Sequence, residues 1–260
     1  MLQNFGYYNF LGLSYALAIF LWAILYKSFA KNLYAVQDEP EKDKPWLDLG
    51  FLLLAGIATI LIGQLYTAGQ LLPELQWDNL KISECLNQII IFSPFLLYFF
   101  LKKHPGYFAC LPSRNWLPRL GIGLVLGILA IGLFSLLSQK RPFPAILSDV
   151  YSLSNTHFAI QIFLEDLVIG MLLAAWSRAL GEKYFIWSLM LVAAIFAYGH
   201  LPANLAEGIP LQQALLHRSF DALLAIGILF YIFKSKDILW FWPIHFAMDM
   251  MQFYSCVSYH

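Results

Sequence analysis

Residues 163–176 read FLEDLVIGMLLAAW, and inside this apolar run two acids, Glu165 and Asp166, stand side by side. In a soluble protein the run would be a core helix. In a bilayer it would be a span whose polar groups turn away from lipid. Composition decides between the two: of 260 residues, 60% are hydrophobic and 12% charged, whereas a soluble domain carries roughly 25% charged residues. Apolar windows of about 20 residues, the length that crosses a hydrocarbon core of about 30 Å, recur along the whole chain. Eight are expected, over approximately residues 7–26, 48–68, 86–101, 120–138, 157–176, 184–201, 219–233 and 237–254. The expected fold is therefore all-α, a single membrane domain over residues 1–260 with about eight transmembrane helices.

The first run starts near Met1 with no basic leader and no small-residue cleavage site, so it reads as a retained span. The extended hydrophilic segment AVQDEPEKDKPWLD, residues 35–48, reads as a solvated loop. No internal repeat is legible, which argues against an inverted-repeat transporter. Cys85, Cys110 and Cys256 form no CxxC pair and are odd in number, so no disulfide framework is expected. With net charge zero and scattered Lys and Arg, the chain offers no basic face for nucleic acid; the lipid bilayer is its expected surrounding.

Basic residues set the orientation, because Lys and Arg in short loops stay in the cytoplasm. Loops on one side carry Lys27, Lys31, Lys42, Lys44, Lys102, Lys103, Arg114, Arg119, Arg178, Lys183, Lys234 and Lys236, and the other side keeps Lys81, Lys140, Arg141 and Arg218. This bias of twelve to four places both termini outside if the span count is even. Trp46, Trp116, Tyr184, Trp187, Trp240 and Trp242 lie near span ends and read as interfacial anchors.

A carboxylate at mid-bilayer costs roughly 3 kcal/mol on insertion scales, so such groups face polar cavities and mark function. Adjacent helix positions diverge by about 100°, so Glu165 and Asp166 need different partners. Two other spans offer polar groups. In IFAYGHLPA, residues 195–203, His200 follows Phe196 by four, and Pro202 then deprives the helix of a hydrogen bond, so it ends or kinks beside the histidine. In WPIHFAMDMM, residues 242–251, His245 and Asp249 are one turn apart on one helix face, after a loosening Pro243. Glu165, His200, His245 and Asp249 are expected to converge on one polar cavity, with Asp166 turned toward another hydrogen-bonding neighbour. Glu207 and Asp221, in or near the loop after His200, could line an entrance.

These residues resemble the motifs of the CAAX prenyl endopeptidase and bacteriocin-processing (CPBP, or ABI) family of intramembrane proteases. Its pattern is Glu-Glu-x-x-x-Arg, then Phe-x-x-x-His, then His-x-x-x-Asn/Asp, each on its own helix. Here the three read Glu165-Asp166 to Gly170, Phe196 to His200, and His245 to Asp249. The resemblance covers approximately residues 120–254, with residues 1–119 as a variable N-terminal portion. It implies a protease in a bacterial cytoplasmic membrane, acting on a peptide or membrane-protein substrate without a cofactor. Glu165 and His200 would be catalytic, activating water; His245 and Asp249, also catalytic, would stabilise the oxyanion; Asp166 and Phe196 would support them. Prenylated substrates are not implied.

The chain departs from the pattern at three positions. Asp166 replaces the second glutamate, Asp249 stands where asparagine is commoner, and Gly170 replaces the arginine that would pair with the second acid one turn away. Three alternatives remain: a Zn²⁺ site built from Glu165, His200, His245 and Asp249, a non-catalytic membrane protein that binds a partner or regulates, and a proton-relay transporter.

Overall fold

Hydrocarbon supplies no water to a backbone N–H, so each spanning segment must satisfy its own hydrogen bonds, and a continuous apolar segment does so as a helix. The computed structural model describes residues 3–33, 44–112, 114–138, 141–206 and 208–256. Lys140, Glu207 and residues 35–43 of the expected hydrophilic loop lie outside the described residues, and the last four residues of that segment, 45–48, are instead the first turn of a helix. Within them the chain is all-α apart from one small hairpin. In order it forms α1 (Gln3–Leu33), α2 (Pro45–Thr67), the antiparallel pair β1 (Gln76–Trp77) and β2 (Leu80–Lys81), α3 (Ile82–Ile91) and α4 (Ser93–Leu101). There follow α5 (Pro105–Phe108), α6 (Trp116–Ser138), α7 (Phe143–Val150), α8 (Thr156–Leu180), α9 (Phe185–Gly199), α10 (Leu201–Ala206), α11 (Leu211–Ser235) and α12 (Phe241–Cys256).

Among the described residues, five helical segments are long and apolar enough to cross a membrane: Phe10–Ser28 within α1, α2, α6, Leu153–Leu180 ending α8, and α11. The chain thus has the build of an integral membrane protein. The expected count of eight is not reached by length. The run at 86–101 breaks into α3 and α4, bent by 62°; Pro94 has no N–H to give the carbonyl four residues back, so the helix stops at Ile91 and restarts at Ser93. Counted as one, the pair makes six. α9, with 15 residues, and α12, with 16, fall short of span length.

The start of α12 is sunk into the protein. Gly123 and Gly127, four apart on one face of α6, have no side chain, so the backbone of α12 lies directly on them: a Cβ at Gly127 would meet the Pro243 carbonyl oxygen at 2.9 Å, and one at Gly123 would strike that of Trp240. Small residues at this spacing are what lets two membrane helices touch. Trp240, expected as an interfacial anchor, is instead fully buried; its ring stacks on Trp22 at 4.1 Å and its Nε1 donates to Ser235 Oγ at 3.3 Å. Trp242 is half-buried and donates Nε1–H to the Ala159 carbonyl at 2.9 Å. Trp46, Trp116, Tyr184 and Trp187 are exposed at the starts of α2, α6 and α9, as anchors should be.

The segments bearing the larger share of basic residues are tied together at one end of the bundle. Tyr26 Oη donates to the Lys234 carbonyl at 3.1 Å, Lys102 pairs with Asp48, Arg178 lies 3.9 Å from the same carboxylate, and Ile238 N donates to the Cys110 carbonyl at 2.9 Å. Lys102 and Arg178 also sit over the Phe108 ring, at 4.6 and 4.2 Å. Arg119, expected in a loop, lies inside α6 and is buried, with Nη1 at 2.6 Å from the equally buried Asp237. Asp237 stands in the turn between α11 and α12, where its Oδ1 also accepts from Leu239 N at 2.8 Å. Burial pushes its carboxyl up to about 6 against the opposing pull of Arg119.

Candidate functional site

Each polar group of the site is placed by a local feature of its helix. Glu165 and Asp166 sit near the middle of α8, where a one-residue step turns them to different sides. Asp166 is fully buried and faces α12. Glu165 is half-buried and faces the space between α8, α9 and α11. His200 follows the last residue of α9, which stops because Pro202 cannot donate to the Tyr198 carbonyl. A new short helix, α10, begins at Leu201. Pro243 does not loosen α12 as expected: the helix starts at Phe241, so the proline falls in the first turn, where an N–H has no helical acceptor.

These groups line one cavity of about 230 Å³. Glu165, His200, His245 and Asp249 all contribute to its wall, together with Arg218 and Asp221 of α11 and Tyr15 of α1. Phe196 packs edge-on against both imidazoles, at 5.3 Å from His200 and 5.9 Å from His245 between ring centres, while Phe241 stacks on His245 at 5.1 Å. His245 thus sits between two aromatic rings, and His200 rests against one.

His245 is held from both ends. Its Nδ1 lies 2.9 Å from Asp166 Oδ1, and its Nε2 lies 3.6 Å from Asp249 Oδ2. Asp166 thus points away from the cavity, as expected, yet its partner is a cavity residue, which joins it to the site through the imidazole. Glu165 accepts a hydrogen bond on Oε1 from Gln161 Nε2 at 2.9 Å. Among the described residues its Oε2 has no hydrogen-bond partner and the carboxylate makes no ion pair, which leaves one oxygen free to take a water.

No family model, curated protein or solved structure matches the chain. The functional reading therefore rests on motif and geometry.

Gly170 has a structural explanation. The loop after α5 lies against α8 there: a Cβ at Gly170 would strike the Ala109 carbonyl oxygen and approach Ile238 Cγ2 at 3.3 Å, and Cys110 Sγ is 3.8 Å from the Gly170 carbonyl. Backbone fills the place that the motif arginine would need. The histidine on α12, not a cation on α8, answers Asp166. Zn²⁺ does not fit the residues present: among the described residues, no three His, Cys, Asp or Glu side chains are grouped to hold a metal ion. Of the expected zinc set, His245 already has Asp166 on one nitrogen and Asp249 beside the other.

Arg218 was not foreseen in the site. Its Nη1 lies 2.9 Å from Asp221 Oδ2, and its Nε donates to Asn204 Oδ1 at 2.8 Å. The apolar run begins at residue 219, which puts Arg218 outside the span; α11 starts at Leu211 and draws it in. The i,i+3 spacing of Arg218 and Asp221 was the available signal.

Proposed function

We propose that this chain is a membrane-embedded endopeptidase of the CPBP type, which hydrolyses a peptide bond of a peptide or membrane-protein substrate in a bacterial cytoplasmic membrane. One observation carries the reading: Glu165, His200, His245 and Asp249, drawn from three separate segments of an apolar chain, share the wall of one cavity. Isolated polar groups in lipid would be costly, and four that converge mark a site. In this reading the bent α3–α4 pair, α9 and α12 complete eight spans.

The chemistry assigns each group a task. Glu165, with a free Oε2, takes a proton from water as the oxygen attacks the scissile carbonyl carbon, and His200 orients that water. The carbonyl oxygen becomes an oxyanion, which an N–H of His245 stabilises; Asp166 fixes that ring through Nδ1. Asp249 accepts from His245 or, when protonated, donates to the oxyanion. The proton held by Glu165 passes to the leaving amine as the C–N bond breaks.

The test is cleavage of a candidate membrane peptide by purified protein, each variant first shown to be monodisperse in detergent. Glu165→Gln and His200→Ala are expected to lower turnover about 10²–10⁴-fold, the usual effect of removing a positioned base, and Asp249→Asn to be tolerated. Wild-type rates in Glu165→Gln would end the glutamate-base mechanism.

A further inference from the structure

The cavity reaches toward the basic end among buried residues and toward the opposite end among half-exposed ones. Its floor is made of buried residues, Phe241, His245, Ile169 and Leu229. The Trp22–Trp240 stack meets Phe241 through Trp240, at 5.8 Å between ring centres, and Arg119 pairs with Asp237 in the turn just before α12, on the side where Lys234 and Lys236 lie. Its rim is half-exposed: His200 after the last turn of α9, and Arg218 and Asp221 in the first turns of α11. α9 runs away from the basic end and α11 runs back toward it. Arg218 precedes Lys234 by sixteen residues, about 24 Å at 1.5 Å per residue.

We propose that the cavity is filled from the extracytoplasmic side, by a chain segment presented at the outer membrane surface. The basic loops stay in the cytoplasm by a bias that is still eleven to four once the buried Arg119 is set aside, so the rim at His200, Arg218 and Asp221 faces outward. The Asn204–Arg218–Asp221 set then forms the polar lip that an entering segment meets first. The proposal deepens the endopeptidase reading by naming the compartment of its substrate, but uses none of its chemistry.

Thiol labelling in sealed right-side-out vesicles tests it without any substrate. The probe is a small, membrane-impermeant cationic methanethiosulfonate, and wild type gives the background of the native cysteines. Leu205→Cys, exposed on α10, and Ala225→Cys, on the cavity wall, are expected to react before permeabilisation, and Lys103→Cys, exposed on the basic face, only after it. Lys103→Cys reacting first, with Leu205→Cys silent, would overturn the orientation. An Ala225→Cys that stays silent in a monodisperse protein, even after permeabilisation, would show a cavity shut to water and overturn the proposal. Leu205→Cys needs no intact cavity, so its result stands if Ala225→Cys perturbs folding. Neither outcome bears on Glu165→Gln, so the two proposals fail separately.

Discussion

His245 Nδ1 and Asp166 Oδ1 meet at 2.9 Å across 79 residues of chain, and the contact pins α12 to the middle of α8. Both groups are buried, so neither can replace its partner with water. Asp166→Ala is expected to destabilise the protein by about 1–3 kcal/mol, the penalty for a buried polar group left unpaired. His245→Ala should do the same. In a double-mutant cycle by thermal unfolding in detergent, the paired change should fall well short of the sum. Additive effects would show that the contact contributes nothing.

Restoring the motif arginine should fail. Gly170→Ala already places a Cβ against the Ala109 carbonyl, and overpacking of this kind costs about 1–3 kcal/mol. Gly170→Arg is expected to prevent accumulation of folded protein in the membrane. A Gly170→Arg protein as stable as wild type would mean that the loop after α5 does not lie on α8.

Glycines of α6 should divide by position. Gly121 faces open space where a side chain would stand, whereas Gly123 lies under the Trp240 carbonyl. Gly121→Ala should be neutral or stabilising by up to about 1 kcal/mol from helix propensity, and Gly123→Ala destabilising by about 1–3 kcal/mol. Their Tm values, measured side by side, check the α6–α12 contact.

The Arg119–Asp237 pair should be sensitive to loss of either member and to pH. Asp237→Ala strands a buried guanidinium and is expected to cost about 3–5 kcal/mol, more than the double variant with Arg119→Ala. The carboxyl of Asp237 is raised from 3.8 to about 6 in the folded protein. The folded state therefore holds more protons between these values, and stability from this group is fully present below about pH 4 and lost as pH rises through about 6. Unfolding followed between pH 4 and 7 should show that loss in wild type, and Asp237→Asn should lack this component.

Much of the architecture was legible because the bilayer imposes lengths on a sequence. Runs of apolar residues mark helices, and α2, α6 and α8 fall on the expected runs. The stop before Pro202 was expected from its missing N–H; the break at Pro94 rests on the same local property, yet residues 86–101 read as one span. Convergence of Glu165, His200, His245 and Asp249 was anticipated from the cost of isolated polar groups in lipid. The bundle alone decided the rest, since it turns on which backbone lies against which. Gly170 reads in the sequence as a lost arginine, yet in the fold it is the gap that admits the Ala109 carbonyl. Arg119 reads as a loop cation, yet it is buried because Asp237, 118 residues later, is there to meet it. Glu165 and Asp166 are equivalent as neighbours in the chain; the 100° between them on a helix, and the approach of His245 to one side, put one carboxylate in the cavity and the other behind it.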